Sequence, residues 1–492
     1  MAVGCPHRPH ARIYIVKCVE QTTESIYNDM ITIITEKILV ARKISRVVGA
    51  LQRKVGYYGG SNYCVTWIDD YLPREQRNII KNLLKHSDEV IIATEPNEAG
   101  EERFRSLIWL INYRGNAQFK RLWLNSLSAK AIRNGLEHLH SVRELDFLCS
   151  ENYLEQQKRL TLESEETLSA ICRRYWKHIT FESESYWMMH LSVKENGKVY
   201  NANTTEPPAD YMELEDCYSC LQRFKKALIV KDTTDFCIED APQLFDLTAL
   251  QQEANRQYGY SARQTQEIAQ KLYEAGIITY PCTTCRYIPE QVYDELPKLL
   301  QTLRDNHKWG ALSMTVRRPN PRVVQVLKPF EHHAIVITGE KMQHPSNDDK
   351  RIYDLIVRRM LEALSEKCVK EVRTVTMLNA GLYFTVSGVI INKAGWRFIA
   401  GEGLEEHRLP EWNEHRQMAY HGCGLNLCQT KPVPLHTEAT LLGEMSAKCN
   451  KAEIIEQLIA EGKIIRLNTQ MIPTPKGMAA YAQILKEKYK VK

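Results

Sequence analysis

The sequence has no apolar run long enough to cross a membrane and no pattern typical of a secretory signal. No stretch approaches the roughly 18 apolar residues that a membrane helix needs. The first residues, MAVGCPHRPHARIYIVKC, lack the arrangement of a signal peptide. Internal repeats and low-complexity segments are also missing from the sequence. We therefore expect a cytoplasmic protein without a membrane partner.

Charge of either sign is not in large excess. The 492 residues include 65 Lys and Arg against 60 Asp and Glu, which leaves a net charge of +5. That balance permits nucleic-acid binding through local basic patches but does not demand it. A hydrophobic content of 43% and a charged content of 25% are those of an ordinary globular protein. The length allows three or four domains with their own cores.

Cysteine, by contrast, is plentiful. Fourteen cysteines without a secretory signal favour a reducing compartment. Two pairs, Cys217/Cys220 and Cys282/Cys285, have a spacing typical of metal ligands. Together they could form a four-cysteine zinc site, and the alternative is that they bind no metal.

The most informative stretch runs from Leu247 to Pro289. Apolar residues recur at three- and four-residue steps on both sides of Gly259-Tyr260-Ser261, which predicts two helices with Ser261 as the N-cap of the second. Gly276 lies where a helix C-cap belongs. Tyr280 follows, and Pro281 restricts it to an extended backbone. A phenol presented in this way could be a covalent nucleophile, although most tyrosines are amphipathic packing residues.

This stretch resembles the active-site region of type IA DNA topoisomerases, most of all the topoisomerase III branch. The matching segments are Phe245-Asp246-Leu247-Thr248, Leu250-Gln251-Gln252-Glu253-Ala254-Asn255 and Ile278-Thr279-Tyr280-Pro281. In that family the tyrosine of the last motif attacks DNA, so the resemblance implies that Tyr280 is the nucleophile. Other family motifs are altered, which indicates a degenerate or truncated member of the branch.

The alternation of strands and helices from Ile31 to about Arg143 predicts a parallel sheet with helices on both faces. The resemblance implies that this sheet is the TOPRIM fold. The predicted elements are a strand from Ile31, a helix over Leu39–Leu51, a strand over Tyr63–Trp67, a helix over Pro73–Lys85 and a strand over Glu89–Ala93.

Two acidic features of this domain carry the chemistry that the resemblance implies. After the first strand, Glu36 would handle protons at the cleaved bond and Lys37 would face a phosphate, whereas a solvated strand end is the alternative. The segment 93–101 corresponds to the family's magnesium-binding turn. Its implied Mg²⁺ ligands are Glu95, Asn97, Glu98 and Glu101. We expect this set to be degenerate, because Asn97 carries no charge and Ala99 offers no ligand.

The resemblance implies a multidomain α/β plus α+β fold in which a TOPRIM parallel sheet, a helical tyrosine domain and a β-arch form a toroid. The expected boundaries are an extension over 1–29 that precedes a possible natural start at Met30, a TOPRIM domain over 30–145, a shortened helical base domain over 146–187 and 431–492, a β-arch over 188–240 and 371–430, and a tyrosine domain over 241–370. A family segment between Val142 and Leu160 is expected to be mostly deleted.

Several further positions are expected to face DNA. His332 matches a family histidine that supports chemistry near the phosphate. The family's arginine two residues after the tyrosine is Cys282 here, its aspartate is Thr284, and an arginine expected to contact DNA is Leu162. The remaining cations predicted to meet phosphate are Arg173, Arg174, Arg286 and Lys451.

Two functions follow from this pattern. The first is a monomeric type IA topoisomerase that cleaves and rejoins one DNA strand through a 5′-phosphotyrosyl intermediate, relaxing negative supercoils without ATP. The second is a catalytically impaired paralogue that acts as a DNA-binding or partner-binding module. Retention of Tyr280 favours the first, and the losses at Asn97, Ala99, Leu162 and Cys282 favour the second.

Overall fold

A computed structural model describes residues 30–60, 62–69, 72–144, 153–206, 211–328, 331–446 and 450–490 of the chain. The predicted extension over 1–29 lies outside these residues, as does 145–152 within the predicted deletion. In the described part of the chain, no helix is long and apolar enough to cross a membrane.

Strands and helices follow one another along the described part of the chain. The strands are β1 (Ile31–Thr35), β2 (Gln52–Lys54), β3 (Tyr57–Gly60), β4 (Tyr63–Trp67), β5 (Glu89–Ala93), β6 (Gln118–Arg121), β7 (His140–Ser141), β8 (Ser185–Glu195), β9 (Lys198–Thr204), β10 (Lys226–Glu239), β11 (Cys368–Asn379), β12 (Leu382–Lys393), β13 (Gln417–Ala419), β14 (Gly422–Gln429), β15 (Ile464–Leu467) and β16 (Gln470–Pro473). The helices are α1 (Ile38–Val47), α2 (Arg74–Lys85), α3 (Glu98–Leu110), α4 (Ala129–Glu137), α5 (Tyr153–Ile179), α6 (Tyr211–Arg223), α7 (Leu247–Tyr258), α8 (Ala262–Glu274), α9 (Glu290–Thr302), α10 (Gly310–Ser313), α11 (Asn347–Leu364), α12 (Arg397–Ala400), α13 (Glu438–Glu444), α14 (Lys451–Ala460) and α15 (Pro475–Lys490).

The first sheet has the order β2-β3-β4-β1-β5-β6-β7. Its centre is parallel, because β1 pairs in parallel with β4 and β5, and β5 pairs in parallel with β6. The residues Ile33 and Ile34 of β1 are both fully buried, on opposite faces of the sheet, since successive strand residues alternate. Ile33 joins the core that contains α1, and Ile34 joins the core that contains α2. The predicted parallel sheet with helices on both faces is therefore confirmed.

The edges of this sheet differ from the prediction. The antiparallel hairpin β2–β3 and the antiparallel strand β7 were not expected from the alternating pattern. Helix α1 ends at Val47 and not at Leu51, because Gly49 adopts a left-handed backbone with φ of 77°. The residues after Gly49 lead into β2, so the segment predicted as the last turn of the helix instead precedes the hairpin β2–β3.

The two helices α7 and α8 lead the chain to Tyr280. Asp246 caps α7 by accepting a hydrogen bond from the Ala249 N–H, and Ser261 caps α8 by accepting one from the Gln264 N–H. Gly259 separates the helices with φ of 69°, and Gly276 follows α8 with φ of 75°. Both glycines occupy the left-handed region that a side chain disfavours. The predicted pair of helices and both predicted caps are confirmed.

The second sheet is antiparallel, with the order β13-β10-β11-β12-β9-β8-β14. Strand β10 pairs with β11, and β9 pairs with β12, so the two distant segments of the predicted arch share one sheet. One face buries a core that includes Met189, Val375 and Trp412. Phe236 and Ile238 near the end of β10 are exposed. This sheet is the β component of the multidomain α/β plus α+β fold.

A smaller helical core packs α5 against α14 and α15. It is joined to the tyrosine-bearing helices by hydrogen bonds at the start of α13. The Glu438 carboxylate accepts one from the Ala262 N–H at 2.6 Å, and the Asn255 side chain accepts one from the Ala439 N–H at 3.0 Å. The first turn of α8 is thus fixed by the C-terminal part of the chain.

Candidate active site

Tyr280 lies where the first sheet meets the helices α7 and α8. Its N–H donates to the Asn125 carbonyl at 2.9 Å. The hydroxyl of the preceding Thr279 donates to the Ala334 carbonyl and accepts from the Val336 N–H. These bonds hold the backbone of Tyr280 between two regions that are far apart in sequence. The side chain is 1% exposed, so its hydroxyl is covered by protein.

The hydroxyl of Tyr280 is held by Asn97. The Asn97 Nδ2 donates to the Tyr280 Oη at 2.6 Å and to the Glu95 Oε2 at 3.1 Å. Its Oδ1 accepts from the Gly100 N–H at 2.7 Å, which makes Asn97 the N-cap of α3. Because the cap occupies the amide oxygen, the amide nitrogen must face the phenol. Asn97 is therefore a donor to the candidate nucleophile.

The pKa of Tyr280 is raised well above its ordinary value, mainly by burial and further by the neighbouring Cys282 and Glu95. The hydrogen bond from Asn97 acts in the opposite direction, since donation to the oxygen favours the ionised phenol. The hydroxyl is thus protonated at neutral pH. An attack by this oxygen requires a group that removes the proton.

Two carboxylates are linked to this hydroxyl through the turn that carries Asn97. Glu36 accepts a hydrogen bond from the Glu95 N–H at 3.1 Å and pairs with Arg103 at 2.8 Å. Glu95 also accepts from the Gln270 side chain at 2.8 Å. Burial, with repulsion from Glu36, raises the pKa of Glu95 to about 7. Near neutral pH, Glu95 is therefore poised between its charged and neutral forms.

Arg121 supports the turn that carries Glu95 and Asn97. It is fully buried, and its Nη2 donates to the Glu95 carbonyl at 2.6 Å. Its Nη1 donates to Thr94 Oγ1 at 3.0 Å, and its Nε lies 2.7 Å from the carboxylate of the equally buried Glu101. The guanidinium therefore holds the turn that carries Glu95 and Asn97 through contacts with its backbone and with Glu101.

His332 packs against the phenol ring of Tyr280, with ring centroids 4.5 Å apart. On its other side it stacks on Trp123 at 5.2 Å and 10°. Its Nε2 lies 2.6 Å from the Pro96 carbonyl, and its Nδ1 contacts the Asn125 side chain. Burial lowers the pKa of His332 to about 4. The ring is therefore neutral at neutral pH and donates through Nε2.

Lys37 forms an ion pair with Glu274 at 2.6 Å. The pair joins the end of β1 to the end of α8 and lies next to a small cavity lined by residues of both regions, among them Glu36, Glu95, Gln270 and Tyr273. Together with the contacts of Tyr280 and His332, it closes the interface between the first sheet and the tyrosine-bearing region.

The four residues expected to bind Mg²⁺ do not form a ligand cluster. Glu101 faces Arg121, and both polar atoms of the Asn97 amide are engaged within the protein. Among the described residues there is no group of three or more His, Cys, Asp or Glu side chains placed to hold a metal ion. The donor set does not fit a dedicated Mg²⁺ site.

Comparison with known proteins identifies the family. A family model described as DNA topoisomerase matches residues 165–491. The chain belongs to the type IA DNA topoisomerase family. The solved structure of full-length topoisomerase I from Thermotoga maritima has the same fold, with a TM-score of 0.69 and 17% identity, over 93% of this chain and 83% of that one.

Similar type IA proteins bear the name DNA topoisomerase 3. The protein from Bacillus cereus is 27% identical over 488 residues, which cover 84% of this chain and 66% of the relative. The protein from Shouchella clausii is 25% identical over 87% of this chain and 68% of the relative. The protein from Bacillus subtilis is 25% identical over 84% and 66%, respectively. The chain therefore spans about two thirds of the length of these relatives.

The cations expected to face DNA have different surroundings. Arg286 donates to Asp246, the N-cap of α7, at 2.8 Å, and Arg174 pairs with Glu444 at 2.6 Å. The Nζ of the nearly buried Lys451 donates to the Leu442 carbonyl at 2.8 Å. Arg173 is exposed on α5. Three of the four therefore have partners within the chain, and their roles toward DNA stay predictions.

Of the two alternatives for the cysteine pairs, the structure does not show the four-cysteine site, since the described residues include no group of three or more possible metal ligands. Cys217 on α6 faces the Ala380 carbonyl in the second sheet, whereas Cys285 contacts the backbone of Tyr287 beside the tyrosine-bearing helices. All of these cysteines are free thiols. The spacing within each pair says nothing about the distance between the pairs, so it could not decide between the two alternatives.

Several residues of the site were not expected from the sequence. Trp123 and Asn125 contact His332, Gln270 contacts Glu95, and Arg103 contacts Glu36. None of them has a side chain that signals catalysis. The one available signal was Arg121-Leu122-Trp123, which resembles a family motif without indicating which residue it touches.

Proposed function

We propose that this protein cleaves and rejoins one strand of DNA through Tyr280, and thereby relaxes negative supercoils without ATP. The single observation that carries the proposal is the position of Tyr280. Its hydroxyl accepts a hydrogen bond from Asn97, which is shared with Glu95, and its ring packs against His332. A nucleophile held by a donor that also contacts a carboxylate is suited to phosphoryl transfer.

In the proposed reaction the Tyr280 oxygen bonds to phosphorus, and the bond from phosphorus to the 3′ oxygen breaks. The phenol loses its proton, and the departing 3′ oxygen gains one. Glu36 would serve the proton transfers, while Lys37 and His332 would donate to the phosphate oxygens. Attack of the 3′ hydroxyl on the phosphotyrosine reverses every step. The covalent link conserves the energy of the phosphodiester bond, so no ATP is consumed.

The closed arrangement leaves no room for a phosphate at the Tyr280 hydroxyl. The side chain is 1% exposed, and the donors just named are engaged by Glu274 and the Pro96 carbonyl. Access requires that the region bearing Tyr280 and His332 move away from the first sheet. The same movement would free Lys37 and His332 for phosphate. We therefore assign this structure to the resting state of the cycle.

A second candidate function is binding of DNA or of a protein partner without cleavage. It is favoured by the surroundings of Arg286, which could have replaced the family's arginine at Cys282 but donates to Asp246 instead. Removal of one well-placed electrostatic donor typically costs on the order of 10²–10³ in rate. A loss of that size leaves a slow enzyme, whereas the second candidate function predicts no cleavage at all. For both, we expect a monomer in the cytoplasm.

The test is relaxation of negatively supercoiled plasmid in the absence of ATP, with Tyr280→Phe as the matched control. Phenylalanine keeps the ring contacts with His332 and Tyr273 and removes only the nucleophilic oxygen. Relaxation by the unaltered protein and none by the variant would support the enzyme. Equal plasmid binding by both proteins with no relaxation by either would support the binding module.

A further inference from the structure

A second basic surface lies on the first sheet, beside the active site. Between α1 and the hairpin β2–β3 there is an open groove of about 450 Å³. Its lining residues are Ile38, Leu39, Arg42, Ser45, Arg46, Leu51, Arg53 and Tyr58. Three arginines and no acidic residue line it, so the density of positive charge in the groove is far higher than the average over a chain of net charge +5.

The three guanidiniums have no carboxylate partner. No ion pair involves Arg42, Arg46 or Arg53 in the part of the chain that the structure describes. All three side chains are exposed. Most arginines around the active site, such as Arg103 and Arg121, are paired. An unpaired arginine presents a planar fork of donors that matches the oxygens of a phosphate.

The spacing of the arginines follows one edge of the groove. Arg42 and Arg46 are four residues apart on α1, so they lie on the same face, about 6 Å apart along the axis. Arg53 approaches from the hairpin. Leu39 and Leu51 are 52% and 70% exposed, and the ring of Tyr58 lines the floor. Cations interleaved with apolar and aromatic side chains are typical of surfaces that bind single-stranded nucleic acid.

The groove and the small cavity beside Glu95 are both lined in part by the N-terminal part of the chain segment that forms α1. Val40 and Lys37 line the small cavity beside Glu95, and Leu39 and Arg42 line the groove. A strand that places a phosphate near Lys37 would reach Arg42 after about one and a half helical turns. One helix therefore separates the reacting position from the arginines.

We propose that this groove, defined by Arg42, Arg46 and Arg53, binds the phosphates of single-stranded DNA as the strand leaves the active site. The assignment rests on the proposed function for the choice of DNA as the occupant. The guanidiniums neutralise successive phosphates, and the apolar floor contacts the bases. The interaction is independent of sequence, because phosphate contacts carry no base information.

The test uses the full chain with Tyr280→Phe, so that cleavage does not interfere. In this background, Arg42→Gln/Arg46→Gln/Arg53→Gln removes the groove charge. The matched control is Arg74→Gln/Lys81→Gln/Lys85→Gln, which removes the same charge from exposed positions of α2, on the opposite face of the sheet. Thermal unfolding of each variant verifies that the fold is retained. Binding of labelled oligothymidylate is measured by fluorescence anisotropy over a range of salt concentrations.

We expect the groove variant to bind on the order of tenfold more weakly at low salt than the control, with a slope of log affinity against log salt smaller by about 2. Equal affinities and slopes in the two variants would overturn the proposal. Tighter groove-dependent binding of poly-glutamate than of oligothymidylate would also overturn it, in favour of an acidic protein partner. Since binding is measured without cleavage, failure of plasmid relaxation and failure of this proposal are distinguishable.

Discussion

The Nδ2 of Asn97 lies 2.6 Å from the hydroxyl oxygen of Tyr280, across 183 positions of sequence. The same side chain caps α3 through its Oδ1, so the direction of the amide is fixed by the helix. A residue expected to be a magnesium ligand is therefore also a donor to the candidate nucleophile. This contact connects the first sheet to the tyrosine-bearing region at the reacting atom.

Asn97→Asp separates these two roles of the side chain. Aspartate is as good an N-cap as asparagine, so the free energy of unfolding should change little. It cannot donate to the phenol when ionised, and a hydrogen bond to a developing charge is worth about 1.5–3 kcal/mol. We expect the rate of covalent adduct formation to fall by about 10- to 100-fold at neutral pH. A rise in rate, seen only with Mg²⁺, would contradict the donor role and indicate a metal ligand.

The buried pair of Arg121 and Glu101 should be far more sensitive to single than to double replacement. Arg121→Met leaves an unpaired buried carboxylate and should destabilise the protein by about 3–5 kcal/mol. Arg121→Met/Glu101→Leu removes both charges and should regain much of that loss. Chemical denaturation of the wild type, the two single variants and the double variant measures the coupling. Additive effects would contradict an ion pair that fixes the turn.

Stability should depend on the protonation of His332. Its pKa is about 4 in the folded protein against an ordinary 6.5, so the unfolded chain binds more protons between these values. The stabilisation associated with the neutral ring is complete above pH 6.5 and is lost as the pH falls toward 4. The difference in unfolding free energy between wild type and His332→Asn should therefore shrink on acidification, by at most about 1.4 kcal/mol per pH unit. A difference that is constant from pH 7 to pH 5 would contradict the buried neutral ring.

The ion pair of Lys37 and Glu274 should compete with phosphate. Glu274→Gln removes this carboxylate from the ammonium, and we expect oligonucleotide binding to tighten by about two- to fivefold, since such pairs are worth up to about 1 kcal/mol. The control is Glu295→Gln, which breaks the pair between Lys130 and Glu295. That pair joins the same two regions, but its side chains are much more exposed. Equal effects of the two variants would show that Lys37 has no special access to phosphate.

Local patterns in the sequence were enough to predict the elements that present Tyr280. The cap at Ser261, the break between the two helices near Gly259 and the left-handed Gly276 after α8 depend on neighbours within a few residues. The parallel centre of the first sheet was also predictable, because strands alternate with helices along the chain, and β1 and β5 are indeed buried on both faces. These features are set by periodicity and backbone restriction.

The partners of the site residues were not predictable in the same way. Asn97 meets Tyr280, His332 meets Trp123, and Gln270 meets Glu95 only because separate regions pack together. The two cysteine pairs are a second example. Their spacing allowed one shared metal site, but the packing places the two pairs in different parts of the structure. Resemblance to the family supplied the expected roles of the residues. It could not show what Asn97 and Cys282, which differ from the family's residues at these positions, contact in this chain.

The central claim is that Tyr280 is still a nucleophile. It is tested most directly by incubating the protein with end-labelled single-stranded DNA, with and without Mg²⁺, followed by denaturation and electrophoresis. We predict a covalent protein–DNA adduct that retains the 5′ phosphate on tyrosine and is absent from Tyr280→Phe. Measurable DNA binding with no adduct under either condition would contradict the claim.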